Sequence, residues 1–171
     1  RTVLERSSGP KEPSFEDGNI RGWGTNADNV YDAVQEILAG IPDGGYLSLC
    51  WFLDRWNLDG LESLARDVAQ EISRPVTFGW GPRYLHSTGQ LHKGGPPVGS
   101  FIHLSMTSTD TRQVADQNFT WGNLLESQVR GDAKVLRDLG LPVLRLEISS
   151  LDEDLPRVID ALTHGAAETK K

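Results

Sequence analysis

The sequence predicts an α/β domain: a parallel sheet of about five strands flanked by helices on both faces, a Rossmann-like three-layer sandwich. Three observations carry that expectation. Short, nearly continuous apolar runs alternate along the chain with segments whose apolar residues recur at helical spacing. Such alternation implies βαβ units and a sheet covered on both sides. The length of 171 residues suits one domain with a sizeable core.

Residues 1–17 are polar, carry Pro10 and Pro13 and show no period, so they read as a linker or arm. Residues 18–24 are short and glycine-bounded, with Ile20 and Trp23 as anchors for the domain that spans 18–164. Thr25 and Asp28 resemble a capping box, and Val30, Val34, Ile37 and Leu38 then share one helical face ended by Gly40. Residues 46–53 form a run apolar on both faces, which predicts a buried strand. A helix over 58–73 follows, with Leu58, Leu61, Leu64, Val68 and Ile72 as its stripe. Pro75 opens a strand at 76–78, and 101–106 and 143–148 read as further strands. Helices are expected over 121–139, stopped by Gly140 and Pro142, and over 155–162, with 165–171 a frayed tail.

Composition excludes several classes. A hydrophobic share of 37% and a charged share of 24% are those of a globular chain. The net charge of −7 argues against nucleic acid as a partner, although backbone amides with one or two cations still suffice for phosphate. No apolar run is long enough for a membrane span and no signal peptide heads the chain, so no membrane partner and a cytoplasmic location are expected. A single cysteine, Cys50, excludes a disulfide framework. The start at Arg1, without methionine, is read as a fragment or processed piece.

Chemistry concentrates between Gly79 and Gly99. Six glycines and three prolines there are expected to prevent regular structure and to let backbone approach a ligand. Interleaved with them are Arg83, His86, Ser87, Thr88, Gln90, His92 and Lys93, seven polar side chains within eleven residues. Hydroxyls and amides suit sugar and phosphate oxygens, Lys93 brings positive charge, and a histidine exchanges protons near neutral pH. Most glycine- and proline-rich loops are plain connections, so the density of these groups carries the functional reading. His103, inside a strand, and His164, at a helix end, are taken as structural. No histidine or cysteine spacing suits a metal, and neither a phosphate-cradling Gly-Lys-Ser/Thr loop nor a dinucleotide fingerprint is present, so no cofactor is expected.

The run Gly81-Pro-Arg-Tyr-Leu-His-Ser-Thr-Gly-Gln-Leu-His-Lys-Gly-Gly-Pro96 resembles the signature of bacterial glucose-6-phosphate isomerases, found alone or fused behind transaldolase. The likeness continues through Trp121-Gly-x-Leu, Gln128, Gly131-Asp132, Leu136, Gly140 and Pro142-Val-Leu-Arg-Leu. The resemblance implies a sugar isomerase (SIS) domain, similar to the second of the family's two, acting on a phosphorylated sugar without a metal. It implies that ring opening and a cis-enediolate proton transfer interconvert glucose 6-phosphate and fructose 6-phosphate. By the same resemblance His92 is the ring-opening group, Lys93 steadies charge on substrate oxygens, and Gln128 faces the site. Arg83, His86, Ser87, Thr88 and Gln90 would bind substrate. The family's serine- and threonine-rich phosphate loop belongs to the first domain, and Glu126 matches no family glutamate serving as the base. Implied partners are an N-terminal SIS domain, an upstream transaldolase domain and further copies in a homo-oligomer. The alternative is a non-catalytic sugar-phosphate-binding or regulatory module.

Overall fold

The computed structural model describes residues 12–58 and 60–168, with backbone alone for Asn57 and 164–168. In chain order the elements are β1 (Phe15–Asp17), β2 (Ile20–Trp23), α1 (Val30–Ala39), β3 (Tyr46–Phe52), α2 (Glu62–Ile72) and β4 (Val76–Trp80). They continue with α3 (Thr88–Gly94), β5 (Gly99–Met106), α4 (Trp121–Asp138), β6 (Val143–Ile148) and α5 (Asp154–Glu168). Single 3-10 turns occur at Arg55–Asn57 and Arg83–His86. The sheet has six strands in the order β1-β2-β6-β5-β3-β4. The four strands β6, β5, β3 and β4 run parallel, and β2 and β1 add antiparallel at one edge. The expected α/β class therefore holds, with an antiparallel ribbon added to the parallel core.

Side-chain alternation divides the interior into two layers. Leu47, Leu49, Trp51, Ile102, Leu104, Leu144, Leu146 and Ile148 face α1, α2 and α5 in the larger apolar core. On the other face Cys50, Phe52, Phe101 and Val143 pack against Tyr84 and against Val129, Ala133 and Leu136 of α4. Helices after β3 and after β5 thus lie on opposite faces. The carboxyl ends of those neighbouring strands border the crevice where ligands of such sheets gather.

Local chemistry moves several boundaries. The arm expected over 1–17 ends in β1: Phe15 is buried and pairs in register with Gly22, while residues 1–11 lie outside the described chain. A Cβ at Gly22 would stand 2.1 Å from the Phe15 ring, so the close approach needs glycine. Three residues carry too little periodicity to announce such a strand. The cap of α1 is Asn29 rather than Thr25: Asp32 N donates to Asn29 Oδ1 (2.9 Å) and Asn29 Nδ2 donates to Asp32 Oδ2 (2.7 Å). Thr25 Oγ1 instead accepts from Ala27 N. Helix α2 begins at Glu62, not 58, because Asp54 caps a separate 3-10 turn and Gly60 at φ +83° breaks continuity. Helix α5 continues to Glu168, past the expected end at 162, and residues 169–171 lie outside the described chain. Its start is held by Asp154 Oδ2, which accepts from Ser149 N and Ser150 N at 2.9 Å each.

The 79–99 segment is the largest departure. Strand β4 runs on to Trp80, and the chain then forms a 3-10 turn and the short helix α3 before β5. Gly79 and Gly81 are needed for contact rather than for looseness. A Cβ on Gly79 would lie 2.9 Å from Tyr84 Cβ, and one on Gly81 2.5 Å from the Phe52 ring.

Candidate functional site

In the parallel strands the titratable side chains point to the face under α3 and α4, and the register lines them up. One row crosses the sheet as Gly79, Cys50, His103, Arg145 and Trp23. The next row toward the carboxyl ends of the parallel strands holds Phe52, Ser105, Glu147 and Arg21. Period-two alternation puts all of them on one side, so a single face receives a thiol, an imidazole, a guanidinium and a carboxylate.

Above the first row stands Asp132, a buried acid on α4. Tyr84 Oη donates to its Oδ2 at 2.5 Å, and His103 Nε2 lies 3.3 Å from the same oxygen. Lys93 Nζ pairs with its Oδ1 at 2.5 Å. Burial holds His103 down to about 4, so at neutral pH its imidazole is uncharged. Its Nε2 faces both Asp132 Oδ2 and the Tyr84 hydroxyl, the latter 3.5 Å away. Desolvation also pushes the Cys50 thiol up to about 12, raises the Tyr84 phenol and lowers His92. One carboxylate, one ammonium and a ring of neutral donors therefore make a charge-balanced cluster.

His92 lies beside this cluster, with its ring in edge contact with Phe101 (5.1 Å between centroids). It is only 5% exposed, with Nε2 3.5 Å from Ser48 Oγ and Nδ1 unpartnered. Ser48 Oγ in turn accepts from Thr77 Oγ1 at 2.9 Å. The fold thus brings together Lys93, His92 and the Asp132 group. Arg83, His86, Ser87, Thr88 and Gln90 instead stand on the outer side of the 3-10 turn and α3, exposed or partly so. Ser87 Oγ donates to Tyr84 O (3.3 Å) and Gln90 Nε2 to Leu85 O (3.3 Å), so both brace the local backbone. Gln128, one helical turn before Asp132, lines a shallow groove of about 360 Å³ with Pro82, Ser108 and Trp121. The crevice beyond β3 and β5 is a cavity of about 420 Å³ bounded by Phe52, Asp54, Pro82, Thr107 and Ser108.

Tyr84, His103 and Asp132 were not among the sequence-predicted site residues. The signals existed. Asp132 falls in the apolar stripe Leu125, Val129, Leu136 of α4, and His103 sits between Ile102 and Leu104 in a buried strand. His103, read from the sequence as structural, is fully buried and stands 3.3 Å from Asp132. The side chain of His164 lies outside the described residues.

Among the described residues, no group of three or more histidine, cysteine, aspartate or glutamate side chains is arranged to hold a metal ion. No helix among them is long and apolar enough to cross a membrane.

No family model matches the chain, and no curated protein matches it. Among solved structures it is similar to a hypothetical protein from Thermus thermophilus, TT0462, with a TM-score of 0.70 and 14% sequence identity. The match covers 81% of this chain and 39% of that one, so the chain spans well under half the length of this structural relative. At this identity the likeness establishes the fold.

Proposed function

We propose that this chain is the C-terminal sugar isomerase domain of an aldose–ketose isomerase for glucose 6-phosphate and fructose 6-phosphate, completed by an N-terminal domain of the same kind. One observation carries the reading. The two runs that resemble the isomerase family, 81–96 and 121–146, are separate in sequence, yet they meet at one carboxylate: Tyr84 and Lys93 of the first contact Asp132 of the second. A motif pair kept for packing alone has no need of an ammonium and a phenol on a single buried acid.

In this reading a neutral His92 has one nitrogen to donate and one to accept a proton, which ring opening requires. Lys93, held by Asp132 but with its side chain 28% exposed, supplies positive charge to an enediolate formed at the domain boundary. Gln128 lies along the same side of α4 and orients sugar hydroxyls. An upstream transaldolase domain, a cytoplasmic setting and a homo-oligomeric holoenzyme belong to the same proposal.

The burial of His92 favours a second reading, a module that binds a sugar phosphate without turning it over. The two separate in a coupled assay of fructose 6-phosphate conversion, run on this chain alone and on the protein that includes its upstream sequence. Turnover in the longer protein alone supports the half-enzyme. Saturable sugar-phosphate binding with no turnover in either supports the module, and no binding at all overturns both.

A further inference from the structure

Arg145 is an arginine in the interior of the sheet with no carboxylate bonded to it. It is 4% exposed, and its guanidinium carbon stands 3.5 Å from the centroid of the Trp23 ring, its neighbour across the β2–β6 pair. Among the described residues it makes neither a hydrogen bond nor an ion pair. The acids nearby are engaged elsewhere. Glu147 pairs with Arg21 and accepts from Thr107 Oγ1 at 3.0 Å, Glu126 pairs with Arg130 at 3.2 Å, and Asp110 pairs with Arg112 at 2.6 Å. Burial lowers Arg145 to about 10, which still leaves it cationic at neutral pH. A buried cation with no bonded partner is costly unless something outside the chain completes it.

That something has room. Arg145 lines a cavity of about 390 Å³ on the α4 side of β2, β6 and β5, together with Trp23 and Ser108 and with the ion pairs Arg21–Glu147 and Arg130–Glu126 and the Asp110 carboxylate at its walls. The guanidinium carbon sits over the Trp23 ring and no hydrogen bond takes its N–H donors, which can grip an oxyanion with two parallel bonds. Trp23 Nε1 is a second buried donor without a partner. Ser105, Thr107 and Thr120 give their hydroxyl protons to Leu146 O, Glu147 and Asn123, whereas Ser108 and Thr111 still have one to give, and a tetrahedral group on Arg145 offers acceptor oxygens in that direction too. The volume exceeds that of a bare ion and admits the rest of a small molecule.

We infer that this cavity is a binding subsite for a phosphate monoester, with Arg145 as its cation and the Ser108 hydroxyl as a donor at its rim. The inference is independent of the isomerase reading, since it uses none of His92, Lys93 or Asp132.

The test is a titration of the whole chain with inorganic phosphate, followed by the NMR signal of the Trp23 indole N–H and by calorimetry, with acetate as a parallel arm. A saturable shift at Trp23, affinity weaker by roughly tenfold or more in Arg145→Met, and partial rescue in Arg145→Lys are expected. Thermal melting checks that each variant folds; should Arg145→Met not fold, the native titration decides alone by where its shifts fall. No saturable shift at Trp23 overturns the subsite. So does unchanged phosphate affinity in Arg145→Met, and acetate binding as tightly as phosphate overturns the choice of ligand.

Discussion

Replacement of Asp132 by alanine removes the acceptor on which three donors converge, and the cost follows from what each donor can do afterwards. Tyr84 is 4% exposed and His103 is fully buried, so neither reaches water once the carboxylate is gone. Each stranded buried donor costs about 1–3 kcal/mol. Lys93 is different: its side chain is 28% exposed, it turns outward, and its lost pairing adds less than about 1 kcal/mol. The sum is a loss of about 2–7 kcal/mol, which brackets the roughly 3–5 kcal/mol found when one partner of a buried pair is deleted. For a domain of this size that lowers the melting temperature by about 10 °C. Urea unfolding and calorimetry measure it directly. Tyr84→Phe alone should cost about 1 kcal/mol, and the double variant should lose less than the sum of the singles because they share one bond. An Asp132→Ala protein within about 1 kcal/mol of the native stability, with an unchanged urea dependence, refutes the view of Asp132 as the centre of this face.

Other predictions follow from the same contacts. His103 binds its proton far less readily folded than unfolded, so the unfolded chain takes up more protons between pH 6.5 and about 4. Stability should be complete above 6.5 and fall by about 3 kcal/mol as the pH drops through that window; urea midpoints across it should flatten in His103→Gln. Gly24 sits at φ +87°, with Val143 O only 2.3 Å from where a Cβ would be, so Gly24→Ala should cost about 2 kcal/mol or more in the same unfolding experiment. Cys50 is fully buried, its thiol pushed up to about 12. Its alkylation at mildly alkaline pH should therefore proceed no faster than unfolding, and rapid labelling of the folded chain would contradict the packing described.

The parallel core was legible because continuous apolar runs and helical stripes leave few other ways to bury such a chain. The strand at Val143–Ile148 and the helix from Trp121 appear where their apolar patterns put them, and in the structure Thr120 caps that helix. The edge ribbon was not legible: β1 owes its place to Phe15 lying over Gly22, a contact between residues that no periodic pattern links. In the 79–99 segment glycine count misled. Gly79 and Gly81 pack against Tyr84 and Phe52, and such contacts are visible only once the chain is folded. The site was half legible. His92 and Lys93 were found by density of polar groups, but Asp132, His103 and Arg145 were hidden among apolar neighbours. There, one polar residue in a buried stripe was the better signal, because only a partner makes its burial tolerable.

His92 is the residue on which the isomerase reading turns. The decisive measurement is the rate of fructose 6-phosphate conversion to glucose 6-phosphate by the protein with its upstream sequence, native and as His92→Ala. The native protein should turn over, and His92→Ala, checked for folding by its melting curve, should be slower by roughly a hundredfold or more. A His92→Ala protein as fast as the native one contradicts the role given to His92, and no turnover by the native protein contradicts the reading itself.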